Sequence, residues 1–403
     1  MQMEKTEIEI LYNTYYRKLS KVSLQYTRYL YEKINWNVRL IGIKGARGVG
    51  KTTMLLQRIK RTSPDGNTAF YISLDDLWFE THSLIELVEY LYTHGITHLY
   101  LDEVHRYPDW ARNLKNITDN YPDLSIVYTG SSMLEIDNSK VDLSRRQTVY
   151  EMPGFSFREY LAFEKVLEVT PIPLEELLNQ HVALSMEITS SIKILPWFEK
   201  YLQYGYYPFY KESMEDYPIR LQEVTSLIID TDLPAVEDIE YSTVQKAKKM
   251  LMILAERVPF TPNISQLCKE LGTTREVGLR MLYALERAGL LNLLTTEVKN
   301  YKTLSKPEKV YLNNTNLMYA LTSRVDKGNL RETFFLNQIS NIYPTYMPPK
   351  GDFLIDNTYL FEVGGKSKTF DQIKDVPNSY LAIDDVEYGH KKRIPLWMFG
   401  LLY

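Results

Sequence analysis

Cysteine and histidine are scarce in this sequence of 403 residues, which contains one cysteine and six histidines. The single cysteine, Cys268, excludes an internal disulfide bond and a cysteine-rich metal site, and the histidines do not have the spacing of metal ligands. Because a chain without disulfides suits a reducing compartment, we expect a cytoplasmic protein.

Long apolar runs and an excess of positive charge are also missing. No uncharged apolar stretch approaches the length of a membrane span, and the first residues lack a basic and then apolar signal, so we expect no membrane association. The net charge of -4 disfavours non-specific coating of nucleic acid, although the net charge does not exclude a local basic surface. With 44% hydrophobic and 24% charged residues, the composition is that of a globular protein of two or three domains.

One glycine-rich segment matches the phosphate-binding pattern GxxxxGK(S/T) at every fixed position. An apolar β-branched run precedes it at residues 38–44 and a helix-forming run follows at residues 53–60, so the order is strand, loop and helix. In such a loop Lys51 would reach the β and γ phosphates and the Thr52 hydroxyl would bind Mg²⁺; the alternative is a chance match. The predicted nucleotide-binding residues are Gly45, Ala46, Arg47, Gly48, Val49, Gly50, Lys51, Thr52 and Thr53.

An apolar run that ends in two acids is typical of the second strand that accompanies a P-loop, and residues 98–103 have the sequence HLYLDE. Asp102 would hold Mg²⁺ through water, and Glu103 would polarise the water that attacks the γ phosphate. Two adjacent acids at a strand end point in different directions, which suits two different roles. The alternative is a strand followed by an acidic turn.

Two further polar residues follow predicted strand positions. Ser131 comes directly after the apolar run at residues 125–129 and is the candidate polar sensor of the γ phosphate. Arg146 precedes the extended segment at residues 147–152 and would neutralise charge on the transferred phosphoryl group as an arginine finger. The alternatives are a capping serine and a solvated arginine.

Five blocks of the sequence together resemble a group of prokaryotic AAA-type ATPases related to the STAND signalling NTPases. The blocks read GARGVGKTT, LYLDEVHR, VYTGSS, LSRRQTVYEM and PGFSFREYL, in the order found in that group. The resemblance implies an ATPase that uses ATP and Mg²⁺, and it aligns Arg146 with the family arginine. The chain departs from the family pattern at Arg145, where glycine is usual, and at Gly154, where leucine is usual, so Arg145 could act in place of Arg146.

Alternating strand and helix patterns predict an α/β fold with a parallel sheet of the P-loop NTPase type, covered by helices on both faces. Residues 1–156 would form this AAA ATPase core with amino-terminal helices. After this core in the sequence we expect a helical lid at residues 157–240, a winged helix at 241–325 and a small α+β domain at 326–403.

The winged helix is predicted from three helical segments followed by two short strands. If its third helix entered a major groove, Arg275, Arg280 and Tyr283 would be the residues to contact DNA, although Glu276 dilutes the basic face. The alternative is a module for contacts between domains or with a protein partner.

The last predicted domain has an acid on a helix and one on each of two strands, which resembles the restriction-endonuclease fold. The candidate residues are Glu332, Asp352, Glu362 and Lys366. In that fold a lysine stands two residues after the glutamate, where this chain has Gly364. Lys366 or Lys368 would have to reach back toward Glu362 to take the place of that lysine. A binding or scaffolding role is therefore favoured over Mg²⁺-dependent cleavage.

Three functions are compatible with these patterns. The leading hypothesis is an ATP-hydrolysing switch that couples nucleotide state to a protein or DNA partner. An oligomer is compatible with it, since Arg146 could act on its own nucleotide or on that of a neighbour. The others are an ATP-dependent DNA-processing enzyme and a nucleotide-binding interaction module without hydrolysis, and Glu103 argues against the last.

Overall fold

The computed structural model describes residues 5–130, 143, 145–234, 241–257, 261, 263–296 and 305–403. The chain divides into two compact units, Met1–Pro153 and Gly154–Tyr403. None of the helices in the described part of the chain has the length and apolar character needed to cross a membrane.

The first unit is built on a five-stranded sheet in the order β2-β3-β4-β1-β5, in which every neighbouring pair is parallel. Its strands are β1 (Leu40–Lys44), β2 (Ala69–Ser73), β3 (His98–Asp102), β4 (Ser125–Gly130) and β5 (Thr148–Glu151). The predicted α/β fold with a parallel sheet is confirmed. Nearly continuous apolar runs such as LIGIK in β1 are buried, as expected for strands covered on both faces.

In the part of the first unit that the structure describes, five named α-helices connect and cover these strands. They are α1 (Lys5–Lys21), α2 (Leu30–Lys33), α3 (Lys51–Thr62), α4 (Leu84–Thr93) and α5 (Trp110–Asn120). Short 3-10 helices lie at Leu77–Glu80 and Val104–Arg106. Helix α4 begins with a capping box in which Ser83 and Glu86 bond to each other's backbone N–H, which fixes where the helix starts.

The second unit begins with helices and ends with a mixed sheet. Its helices are α6 (Phe157–Phe163), α7 (Leu174–Ser191), α8 (Ile194–Tyr204), α9 (Tyr217–Leu227), α10 (Tyr241–Ala255), α11 (Ile264–Leu271), α12 (Arg275–Arg287), α13 (Thr315–Leu321) and α14 (Lys327–Ser340). Short helical turns lie at Pro208–Glu212, Ile228–Asp232 and Leu396–Leu401. Two antiparallel strands, β6 (Leu291–Leu294) and β7 (Lys309–Leu312), follow α12, so α10 to β7 have the element order predicted for a winged helix.

The mixed sheet contains five strands in the order β12-β11-β10-β9-β8. They are β8 (Thr345–Tyr346), β9 (Phe353–Ile355), β10 (Tyr359–Gly364), β11 (Ser379–Ile383) and β12 (Arg393–Pro395). Strand β10 is antiparallel to β9 and parallel to β11, and α14 precedes the sheet in sequence.

The start of the predicted lid is bonded to the end of the chain. The Ser156 hydroxyl and the Arg158 guanidinium both donate to the backbone carbonyl of Tyr403, at 2.6 and 2.8 Å. The backbone N–H of Phe157 donates to the side chain of Gln338 in α14. The segments predicted as a lid and as a carboxyl-terminal domain therefore pack together within one compact unit.

Candidate functional site

The P-loop joins the end of β1 to the start of α3 and needs its glycines for two separate reasons. Gly48 and Gly50 have φ angles of 86° and 99°, in the region that residues with a Cβ rarely adopt. At Gly45 the obstacle is steric, since a Cβ would lie 2.3 Å from the carbonyl oxygen of Met152. The glycine spacing of the motif thus matches the shape of this loop.

Lys51 is held against the loop that it would serve. Its side chain is buried, and Nζ donates to the backbone carbonyls of Gly45 and Ala46 at 2.8 and 2.9 Å. The ammonium group therefore lies inside the loop, where the motif places the phosphates of a nucleotide.

Thr52 and Asp102 lie together, as the two motifs require. The Thr52 hydroxyl donates to Asp102 Oδ2 at 2.6 Å, and Asp102 is 2% exposed. One hydroxyl and one carboxylate at the mouth of a P-loop are the hard oxygen ligands that Mg²⁺ prefers when phosphates complete its coordination. These residues therefore fit a magnesium ion.

Two more side chains bond to Asp102, and the sequence patterns did not identify either. The hydroxyl of Tyr71 in β2 donates to Oδ2 at 2.9 Å, and the hydroxyl of Thr129 in β4 donates to Oδ1. Both residues are buried. A polar residue near the end of an apolar strand is the only sequence signal for Thr129, and Tyr71 resembles an ordinary core aromatic.

Glu103 occupies a left-handed backbone conformation, with φ of 53°. Its backbone N–H donates to the hydroxyl of Thr129 at 3.3 Å, and its carboxylate lies 3.5 Å from Nε2 of His105. Burial, reinforced by the charge of Arg106, lowers the pKa of His105 to about 3, so this imidazole is neutral near pH 7. A non-glycine residue in this conformation directly after a strand often marks a functional site.

The predicted sensor and the predicted arginine finger are the two remaining candidates of the first unit, and the structure describes only the second of them. Ser131 lies outside the described residues. Arg146 precedes β5, and its guanidinium pairs with Asp119 at the carboxyl end of α5, at 2.9 Å. Since β5 runs parallel to β1, Arg146 lies at the sheet edge opposite the P-loop, separated from it by the length of β5, about 13 Å. Arg145, the alternative finger, has a left-handed φ of 74° in the same turn.

Two regions of the chain match family models, and the model that the first region matches is that of a described domain. Residues 37–161 match the AAA domain model, which covers the P-loop, Asp102, Glu103 and β5. This region is similar to AAA domains and is named the AAA-type domain for that reason. A second match, to a domain of unknown function, covers residues 195–328 and so extends from α8 to the start of α14.

Solved structures resemble the chain only distantly, and no curated protein matches it. The Walker-type ATPase of Pyrococcus abyssi is 12% identical, with a TM-score of 0.42 over 73% of this chain and 95% of that chain. AMPPCP-bound DnaA from Aquifex aeolicus is 15% identical, with a TM-score of 0.27 over 64% of this chain and 84% of that chain.

Outside the AAA-type domain, the predicted DNA-contact residues of α12 do not share one face. Arg275 is exposed, and Arg280 is exposed but pairs with Glu276 one helical turn away, at 2.7 Å. Tyr283 is 2% exposed, and its hydroxyl donates to the carbonyl of Ser305 at 2.9 Å. The prediction for Tyr283 was wrong, because its side of α12 faces the interior and the segment that precedes β7.

The three acids predicted for an endonuclease-like domain lie on α14 and in or beside the mixed sheet, and each is paired with a lysine. Lys309 in β7 lies 3.4 Å from Glu332 and 3.7 Å from Asp352, and Lys368 lies 2.5 Å from Glu362. Lys366, the predicted lysine, is exposed, so Lys368 is the residue that reaches back.

Electrostatics within this cluster favour the protonated form of one acid. Burial, with the charge of Asp352 adding to it, raises the pKa of the Glu332 carboxyl. Among the described residues, no group of three or more His, Cys, Asp and Glu side chains is arranged to hold a metal ion.

Proposed function

We propose that the AAA-type domain binds ATP with Mg²⁺ and hydrolyses it, and that the chain acts as a switch whose second unit binds a protein or DNA partner. The observation that carries the proposal is the convergence of Lys51, Thr52 and Asp102 at one edge of the sheet, with Glu103 next to them. Binding alone would not need an acid in the position of Glu103.

Each residue has a definite role in this proposal. Lys51 would exchange the loop carbonyls of Gly45 and Ala46 for oxygens of the β and γ phosphates. Thr52 and, through water, Asp102 would hold Mg²⁺, which neutralises charge on the phosphates when bound. Glu103 would accept the proton of the attacking water as general base.

The location of Arg146 supports action on a neighbouring molecule rather than on its own nucleotide. The side chain lies at the edge of the sheet opposite its own P-loop and is partly exposed. A finger at this edge would complete the site of an adjacent copy, so that hydrolysis would depend on assembly.

Arg28 supports a route from the nucleotide to the boundary between the units. Its buried guanidinium donates to the carbonyl of Val49 in the P-loop at 2.6 Å and to the carbonyl of Pro153, the last residue of the first unit, at 2.7 Å. The first P-loop glycine also packs on the backbone of Met152. A nucleotide that shifts the P-loop would therefore also act on Pro153, the residue that precedes the second unit in sequence.

A hydrolysis assay with purified full-length protein tests the proposal. We expect Mg²⁺-dependent release of phosphate from ATP, and we expect Glu103→Gln to reduce the rate by about 100-fold or more while ATP binding persists. Glu9→Gln, at an exposed position of α1, is the matched control and should leave the rate unchanged. A wild-type protein that binds ATP but releases no phosphate would favour the interaction module instead.

A further inference from the structure

Among the described residues, Thr52, Tyr71 and Thr129 each donate a side-chain hydrogen bond to the carboxylate of Asp102. Thr52 and Tyr71 share Oδ2, at 2.6 and 2.9 Å, and Thr129 bonds Oδ1. Only Thr52 belongs to the P-loop motif. Tyr71 and Thr129 therefore bond the proposed metal-binding carboxylate from the two strands that flank β3.

Tyr71 is suited to hold this carboxylate because it is a buried, neutral donor. It is 3% exposed, and its hydroxyl donates to Oδ2 of Asp102 from the neighbouring strand. Its hydroxyl also accepts from Nζ of Lys18 in α1, at 3.4 Å, and that ammonium lies 4.9 Å from the centre of the Tyr71 ring. The network thus extends from the amino-terminal helix to Asp102.

We propose that Tyr71 is a positioning residue that sets the Mg²⁺ affinity of the AAA-type domain by fixing the orientation of Asp102. This inference rests on the proposed function, since it assigns Asp102 to the metal. Hydrogen bonds to a metal-binding carboxylate orient it before the ion arrives, and their loss costs metal affinity. Without the Tyr71 hydroxyl, Asp102 would keep two donors and would turn more freely about its side-chain bonds.

Binding of a fluorescent ATP analogue, titrated with Mg²⁺, tests this inference without any need for hydrolysis. We expect Tyr71→Phe to raise the Mg²⁺ concentration for half-maximal enhancement of binding by about tenfold, with binding in the presence of EDTA unchanged. Thr129→Val, which removes the donor to the other carboxylate oxygen, should shift the Mg²⁺ dependence in the same direction. Thermal unfolding of each variant reports whether the fold is retained.

Tyr15→Phe is the matched control. Tyr15 is buried in the same unit, and the described residues offer its hydroxyl no hydrogen-bond partner. Its removal should leave the Mg²⁺ dependence at the wild-type value. A folded Tyr71→Phe variant with wild-type Mg²⁺ dependence would overturn the role of Tyr71 alone. If the affinity of the wild-type protein for the analogue did not change with Mg²⁺ concentration, both the role of Tyr71 and the proposed metal site would be overturned.

Discussion

Thr52 and Asp102 are separated by 50 positions in the sequence, yet the hydroxyl of one donates to the carboxylate of the other at 2.6 Å. Thr52 lies in the first turn of α3, and Asp102 ends β3 at the same edge of the parallel sheet. In a parallel sheet the carboxyl ends of the strands share one edge, which is where ligands bind in such folds. This bond joins the two motifs into one site.

Arg146 should act in trans. We expect Arg146→Ala to lower hydrolysis, and we expect a mixture of Arg146→Ala and Glu103→Gln subunits to recover part of the activity that each lacks alone. Recovery requires that one subunit supply the arginine to a neighbour whose own Glu103 is intact. Phosphate release measured over a range of mixing ratios checks this. An inactive Arg146→Ala protein that no mixture rescues would contradict action in trans.

Arg28 should couple the P-loop to the second unit. We expect a nonhydrolysable ATP analogue with Mg²⁺ to change hydrogen–deuterium exchange in residues 154–163 of the wild type. Arg28→Lys should reduce that change, because a lysine keeps the charge but lacks the planar fork that reaches the carbonyls of Val49 and Pro153 together. Nucleotide affinity, measured in parallel, separates lost coupling from lost binding. If the analogue changed the exchange of residues 154–163 equally in the wild type and in Arg28→Lys, coupling through Arg28 would be excluded.

The sequence predicted those parts of the site that depend on local motifs. The P-loop, its flanking strand and helix and the pair Asp102 and Glu103 follow from residues close together in the chain. Tyr71 and Thr129 could not be recognised, because only the order β2-β3-β4 brings their strands beside Asp102. The location of Arg146 also depended on topology, since the direction of β5 decides which edge it occupies.

The second unit was harder to predict for similar reasons. Helical spacing does not decide which side of α12 faces the core, so Tyr283 was assigned to DNA contact although it is buried. Lys309 pairs with Glu332 and Asp352 from a strand of the predicted winged helix, a contact that no local pattern indicates. Among the nearby lysines, the turn after β10 directs Lys368 rather than Lys366 toward Glu362.

The acids of the second unit should not support nuclease activity. We expect no nicking of plasmid DNA with Mg²⁺ or Mn²⁺, because Lys309 and Lys368 already neutralise the carboxylates that would bind a metal. Gel assays with supercoiled plasmid check this. Nicking that Asp352→Ala abolishes, and that the exposed control Asp375→Ala does not, would contradict this expectation.

Any binding of duplex DNA by α12 should depend on Arg275 and Arg280 and not on Tyr283. We expect the double variant Arg275→Ala/Arg280→Ala to reduce the slope of log affinity against log salt concentration by about two, one for each lost phosphate contact. Tyr283→Phe should leave the slope unchanged, since the residue is buried. Fluorescence anisotropy at several salt concentrations measures both. A double variant with the wild-type slope would place DNA contact elsewhere.

The most direct test of ATP hydrolysis by the AAA-type domain is the rate of phosphate release from MgATP by Glu103→Gln beside the wild type and Glu9→Gln. The site geometry predicts a rate lowered by about 100-fold or more for Glu103→Gln alone, with its affinity for ATP retained. A Glu103→Gln protein that hydrolyses ATP at the wild-type rate would contradict the assignment of Glu103 as the general base and, with it, the proposed mechanism.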